Sequence, residues 1–142
     1  MNGRNLLRSS SDPARANDPH RAAATLPVTA TSVSRARRLL DSWPQNSASE
    51  MARLVVSELV GNQIVHGSAD GELNVSISDD RGGVRIQVDG PSGTTVPTKI
   101  PHDVRRASGR GLAIVERVCN AWGWDARGGR TRVWGVVPPG AS

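Results

Sequence analysis

Apolar and polar residues alternate most regularly in the middle of the chain. Leu73, Val75 and Ile77 fall on one face of a strand from Glu72 to Ser78, and Val84, Ile86 and Val88 repeat the period-two pattern. The stretch Asp79-Asp80-Arg81-Gly82-Gly83 between them predicts a hairpin connection. Upstream the period lengthens to that of helices. Thr31 or Ser32 can cap a helix running to about Trp43, with Val33, Ala36, Leu39 and Leu40 as its apolar stripe, Arg35, Arg37 and Arg38 largely off it, and Pro44 as its stop. A longer helix follows, capped by Ser47 or Ser49, with Glu50 in its first turn and a run to His66 that Gly67 ends. Met51, Leu54, Val55, Leu59 and Val65 are its expected core residues.

Past the hairpin, residues 90–108 carry Pro91, Pro97 and Pro101 and no clear period, the mark of a lid or binding loop. A third helix is expected from Gly109 to Asn120 on Leu112, Ile114, Val115 and Val118. Strands at Trp122–Ala126 and Thr131–Val137 then flank the turn Arg127-Gly128-Gly129-Arg130. Ala22–Val28, with Pro27, reads as a weak edge strand, and residues 1–21 as a polar, disordered tail. The order βααββ–lid–αββ predicts one domain over residues 22–137, with a short tail at 138–142. Its fold class is an α/β two-layer sandwich: a mixed, mainly antiparallel sheet covered on one face by three helices.

Composition narrows the function. The 142 residues include neither Phe nor Tyr, so the core must come from Val, Leu, Ile, Ala and four Trp. Of 18 basic residues only Lys99 is a lysine, and the net charge of +5 favours any polyanion, a nucleotide triphosphate included. The arginines are scattered and no aromatic-rich strand accompanies them, which argues against direct nucleic-acid binding. One cysteine, Cys119, leaves no internal disulfide or cysteine-based zinc cluster and reads as a small buried hydrophobe. No apolar run approaches the roughly 20 residues of a membrane span, and the N-terminus lacks a signal-peptide core, so a cytoplasmic protein is expected.

Three short motifs can carry chemistry. Glu58 and Asn62 stand four apart on the long helix and project side by side at the edge of its apolar stripe. They can form a polar helix edge, or they can offer an amide oxygen to a hard cation and a carboxylate to act as a base. Gly109-Arg110-Gly111-Leu112 opens the third helix, where unpaired N–H groups can hold phosphate, or it is simply a tight turn. Asp89, before Gly90-Pro91-Ser92-Gly93, can start a turn or accept a hydrogen bond from an exocyclic amine.

Taken in this order, with a lid between the second glycine motif and Asp89, the motifs resemble those of the GHKL (Bergerat-fold) ATP-binding superfamily. The run Ser57-Glu58-Leu59-Val60-Gly61-Asn62-Gln63-Ile64-Val65-His66-Gly67 is similar to its N box, and most of all to that of the small anti-sigma-factor serine/threonine kinases of Gram-positive bacteria. Asp89 with Gly90 and Gly93 resembles the first glycine box, Gly109–Leu112 the second, and Thr131 the threonine that supports the adenine-binding aspartate. The resemblance implies ATP and Mg²⁺ as cofactors. Asn62 would ligate the metal, Asp89 and Thr131 would hold adenine, Gly109, Arg110, Gly111 and Leu112 would frame the phosphates, and Glu58 would be the catalytic base. It implies as partners a sigma factor and an anti-anti-sigma (STAS-type) protein, with a homodimer as one possible state. His66 fits the Asn-x-x-x-His spacing and equally a helix-terminal dipole partner.

Three features depart from the family pattern. Gly61 and Gln63 flank Asn62 where Thr and Ala are usual, and the first glycine box has no tight second glycine pair. The lid carries Lys99, His102, Arg105 and Arg106, a solvated basic face or a reach toward the γ-phosphate. These departures keep open a second reading, a non-catalytic nucleotide-dependent module that sequesters a regulator.

Overall fold

The computed structural model describes residues 21–93 and 109–140, with the side chains of residues 109–112 excepted. The expected disordered tail, most of the lid and its four basic residues lie outside the described residues. Strand β1 (Arg21–Pro27) leads to helix α1 (Thr31–Arg37) and a 3-10 turn at Arg38–Leu40. Helix α2 (Ser47–His66), strands β2 (Glu72–Asp80) and β3 (Gly83–Pro91), helix α3 (Gly109–Val118) and strands β4 (Ala121–Arg127) and β5 (Arg130–Val137) complete the order. The five strands form one sheet in the order β1-β2-β3-β5-β4. Every pairing is antiparallel, so the sheet is not mixed among the described residues.

The alternation fixes the layers. Leu26, Leu73, Val75, Ile77, Val84, Ile86, Val88, Val133 and Val137 are buried on one side of the sheet, beneath the helices. Residues of opposite parity, such as Arg85, Gln87, Asp89, Arg132 and Trp134, lie on the other side, which no described helix covers. On that open face the Arg85 guanidinium stacks 4.6 Å from the Trp134 ring centre. Arg132 donates to Asp125 across β4 and β5 at 2.7 Å, and that hydrogen bond holds its proton more firmly than usual. Both hairpins close with two residues of positive φ, Arg81-Gly82 and Gly128-Gly129, the tight form whose twist matches its strands.

Three expectations at helix ends change. The cap of α2 is Asn46, whose side chain accepts from the Ser49 N–H at 3.0 Å while Ser49 Oγ accepts from the Asn46 N–H at 2.9 Å. Helix α1 stops at Arg37 rather than near Trp43 and has no side-chain cap, because Ser32 instead donates to the Pro27 carbonyl at 2.5 Å. Its end is tied to α2 by Arg53, which donates to the carbonyls of Arg37 and Leu40 and to the Asp41 carboxylate.

The buried side of α2 is Ala48, Ser49, Ala52, Val55, Val56, Leu59, Val60 and Gln63. Leu54 and Val65, expected in the core, are exposed at 36% and 67%. The stripe is therefore rotated: its centre lies on Ala52, Leu59 and Gln63, and Glu58 and Asn62 fall on one flank. Cys119 is buried as expected, and its burial pushes the thiol up to about 11.

Candidate functional site

Helix α2 packs on β3 and against both other helices, and a half-buried flank runs beside its buried side. Glu58 and Asn62 occupy that flank on adjacent turns. The Glu58 carboxylate is half-buried and has neither a hydrogen bond nor an ion pair among the described residues. Asn62 Oδ1 is buried and takes no hydrogen bond among the described residues. Buried polar atoms are nearly always satisfied, and an orphan costs about 1–3 kcal/mol. An amide oxygen held dry and unpaired beside a carboxylate is a fitting ligand for a hard cation. The residues present thus fit Mg²⁺ at Asn62.

Where α2 ends, glycines let backbones touch. A Cβ on Gly67 would lie 2.6 Å from the Gln63 carbonyl oxygen and 2.8 Å from that of Pro91, and one on Gly93 would lie within 2.2 Å of the His66 carbonyl oxygen. Gly67 is extended (φ −89°), not left-handed, so close approach explains this glycine and turn geometry does not. Ser68 N–H donates to Pro91 O at 3.1 Å, and Ser92 N–H donates to Gly129 O at 2.8 Å. The segment after β3 is thereby stitched to α2 and to the β4–β5 turn.

A polar cluster sits on this seam. Gln63, only 4% exposed, donates its amide to the Thr131 carbonyl at 2.7 Å. The hydroxyls of Thr131 and Ser92 share a hydrogen bond of 2.7 Å. Gly90 pairs with Thr131 across β3 and β5, and a Cβ on Gly90 would meet Leu73 Cδ2 at 2.6 Å and Gln63 Oε1 at 3.4 Å. Thr131 and Gly90 therefore share the helix side of the sheet, and Gln63 fills space next to Gly90.

Asp89 is placed elsewhere. It pairs with Arg132 in register and shares the open face with Arg130, whose Nε donates to Asp89 Oδ2 at 3.0 Å. The expected Asp89–Thr131 partnership does not form, because neighbours along a strand point to opposite faces. Asp89 instead lines a 220 Å³ hollow with Asp125, Arg127, Arg130 and Arg132. Alternation with Val84, Ile86 and Val88 already carried that signal in the sequence. Ser92 was missed as a site residue, and Gln63 was noted only as a bulky departure; its spacing from Leu59 and Val60 would have placed it on the buried side.

Helix α3 does begin at Gly109, so Gly109, Arg110, Gly111 and Leu112 form its first turn, as the phosphate-site expectation requires. The side-chain positions of Arg110 and Leu112 lie outside the described residues. No group of three or more His, Cys, Asp or Glu able to hold a metal occurs among the described residues. No helix among them is long and apolar enough to cross a membrane.

A search of curated proteins finds no match to the chain. The family model described as the histidine kinase-like ATPase domain matches residues 26–136, from β1 to the penultimate residue of β5. With most of its length matched and the two-layer sandwich in place, this chain belongs to the histidine kinase-like ATPase domain family.

Proposed function

We propose that this ATPase-family domain is an ATP-binding regulatory protein that acts as an anti-sigma-factor serine/threonine kinase on a small anti-anti-sigma (STAS-type) partner. One observation carries the reading: adjacent turns of α2 present a carboxylate with no counter-charge and a buried amide oxygen with no hydrogen bond. Bound Mg²⁺ would be held by Asn62 and would supply neutralisation of phosphate charge. The first-turn N–H groups of Gly109, Arg110 and Gly111 bind phosphate oxygens, and Thr131 lies at the base end of the site. Glu58 accepts the proton of the acceptor serine as its oxygen attacks the γ-phosphorus and ADP departs.

The test is transfer of labelled γ-phosphate to an anti-anti-sigma partner by the wild type and by Glu58→Gln. Loss of transfer with retained ATP binding supports the base role, and undiminished transfer removes it. A second reading, a non-catalytic nucleotide-dependent module that sequesters a sigma factor, draws support from the ion pair that holds Asp89 on the open face. Under that reading, calorimetry detects Mg·ATP binding while no phosphate reaches any partner.

A further inference from the structure

We infer that the nucleotide base is read by a neutral hydroxyl pair, Ser92 and Thr131 backed by Gln63, and that the site consequently takes guanine as readily as adenine. The inference rests on the nucleotide-binding reading above and deepens it. Three observations support it. Asp89, the carboxylate next to Gly90 in the strand, belongs to the open face and is held by Arg130 at 3.0 Å. The strand position paired with Thr131 is Gly90, and Leu73 and Gln63 already hold the volume a side chain there would enter. Among the described residues, the helix side of this seam carries the linked polar set Gln63, Ser92 and Thr131, joined at 2.7 Å in both contacts.

The chemistry of those groups sets the specificity. A carboxylate only accepts hydrogen bonds, so it welcomes the 6-amino group of adenine and repels the 6-oxo group of guanine. A hydroxyl pair behaves differently. Its internal bond uses one proton, either hydroxyl can be the donor, and the second proton stays available. Rotating both hydroxyls presents an acceptor to an amine or a donor to a carbonyl with no heavy atom moving. Gln63 adds to this neutral set: one amide N–H goes to the Thr131 carbonyl and fixes that strand end against α2, while its Oε1, beside the Gly90 position, can accept and its second N–H can donate.

The experiment is titration calorimetry of the full chain with Mg·ATP and with Mg·GTP. It compares the wild type, Asp89→Asn, and the double variant Ser92→Ala/Thr131→Val, with circular dichroism confirming that each is folded. The expected result is ATP and GTP affinities within about tenfold of each other in the wild type, against the far larger rejection that a charge-matched reader achieves. Asp89→Asn should leave both within about twofold, and the double variant should weaken both by about tenfold or more. A wild-type preference for ATP above that range, a loss of ATP binding in Asp89→Asn, or an unaffected double variant overturns the inference and leaves nucleotide binding intact. Absence of binding by either nucleotide to the wild type overturns the nucleotide reading itself, and the inference with it.

Discussion

Replacing Asn62 by leucine should make the empty protein more stable and the loaded protein less so. The reason is the buried Oδ1 that no protein group satisfies. Such an atom costs about 1–3 kcal/mol in the absence of ligand, and leucine removes it while keeping a similar volume. Leucine also favours helix over asparagine by up to about 0.5 kcal/mol, so only a gain beyond that reports the orphan. A net rise of about 1–2 kcal/mol corresponds to several degrees in Tm for a domain of this size. Ligand reverses the order. Mg·ATP at a hundred times its Kd should stabilise the wild type by about 2.7 kcal/mol and the variant by almost nothing. Scanning calorimetry with and without Mg·ATP measures both quantities. The reasoning fails if Asn62→Leu lowers the Tm of the empty protein or if its Tm still climbs with Mg·ATP as the wild type's does.

Other consequences are as direct. The Cys119 thiol is raised from 9.0 to about 11 chiefly by burial, partly countered by a hydrogen bond from the Val136 backbone. The folded state thus prefers the neutral thiol, and stability is full below the unfolded value near 9 and falls as the pH rises to about 11, by about 2–3 kcal/mol in all. With no tyrosine and a single lysine in the chain, few other groups titrate in that window, so Cys119→Ala should flatten a urea-denaturation profile measured from pH 8 to 11. Two glycines should respond oppositely to alanine. A Cβ on Gly61 meets nothing within 4 Å, so Gly61→Ala should stabilise α2 by up to about 1 kcal/mol. Gly93→Ala drives its Cβ into the His66 carbonyl and should cost about 2 kcal/mol or more, with nucleotide affinity lost in parallel; equal Tm values for the two variants would contradict the packing described.

The parts of the fold legible in sequence were those set by local pattern. Alternation in β2 and β3 survives because each strand buries a single face, and the helix-to-strand order follows from periods and breakers. Helix ends were less legible. Asn46, Ser47 and Ser49 can all cap, and the choice depends on Ser49 being 1% exposed against the sandwich. The early end of α1 depends on Arg53 reaching back to Arg37 and Leu40, contacts between residues 16 and 13 apart. Leu54 and Val65 were misplaced because a hydrophobic residue on an exposed flank looks, by composition, like a core residue. Spacing on one helix paired Glu58 with Asn62, and the structure sets both on one flank of α2. Asp89 was matched by residue type, although its own strand's alternation put it on the far face.

The link between Gln63 and Gly90 is of another kind, because it joins a helix to a strand and neither residue explains itself alone. Gln63 is a long polar residue in a buried position, and Gly90 is a helix-facing strand residue without a side chain. Each accounts for the other: the glutamine occupies the room the glycine leaves and finds its hydrogen bond on Thr131. Such exchange of volume should appear as coupling. Gly90→Asp alone must force its side chain against Gln63 and Leu73, and Gln63→Ala alone leaves a hollow and strips Thr131 of its donor. Combined, the two changes relieve one another, so their effects on unfolding free energy should fall short of the sum by about 1–2 kcal/mol in a double-mutant cycle. Strict additivity would show that the two positions do not share one space.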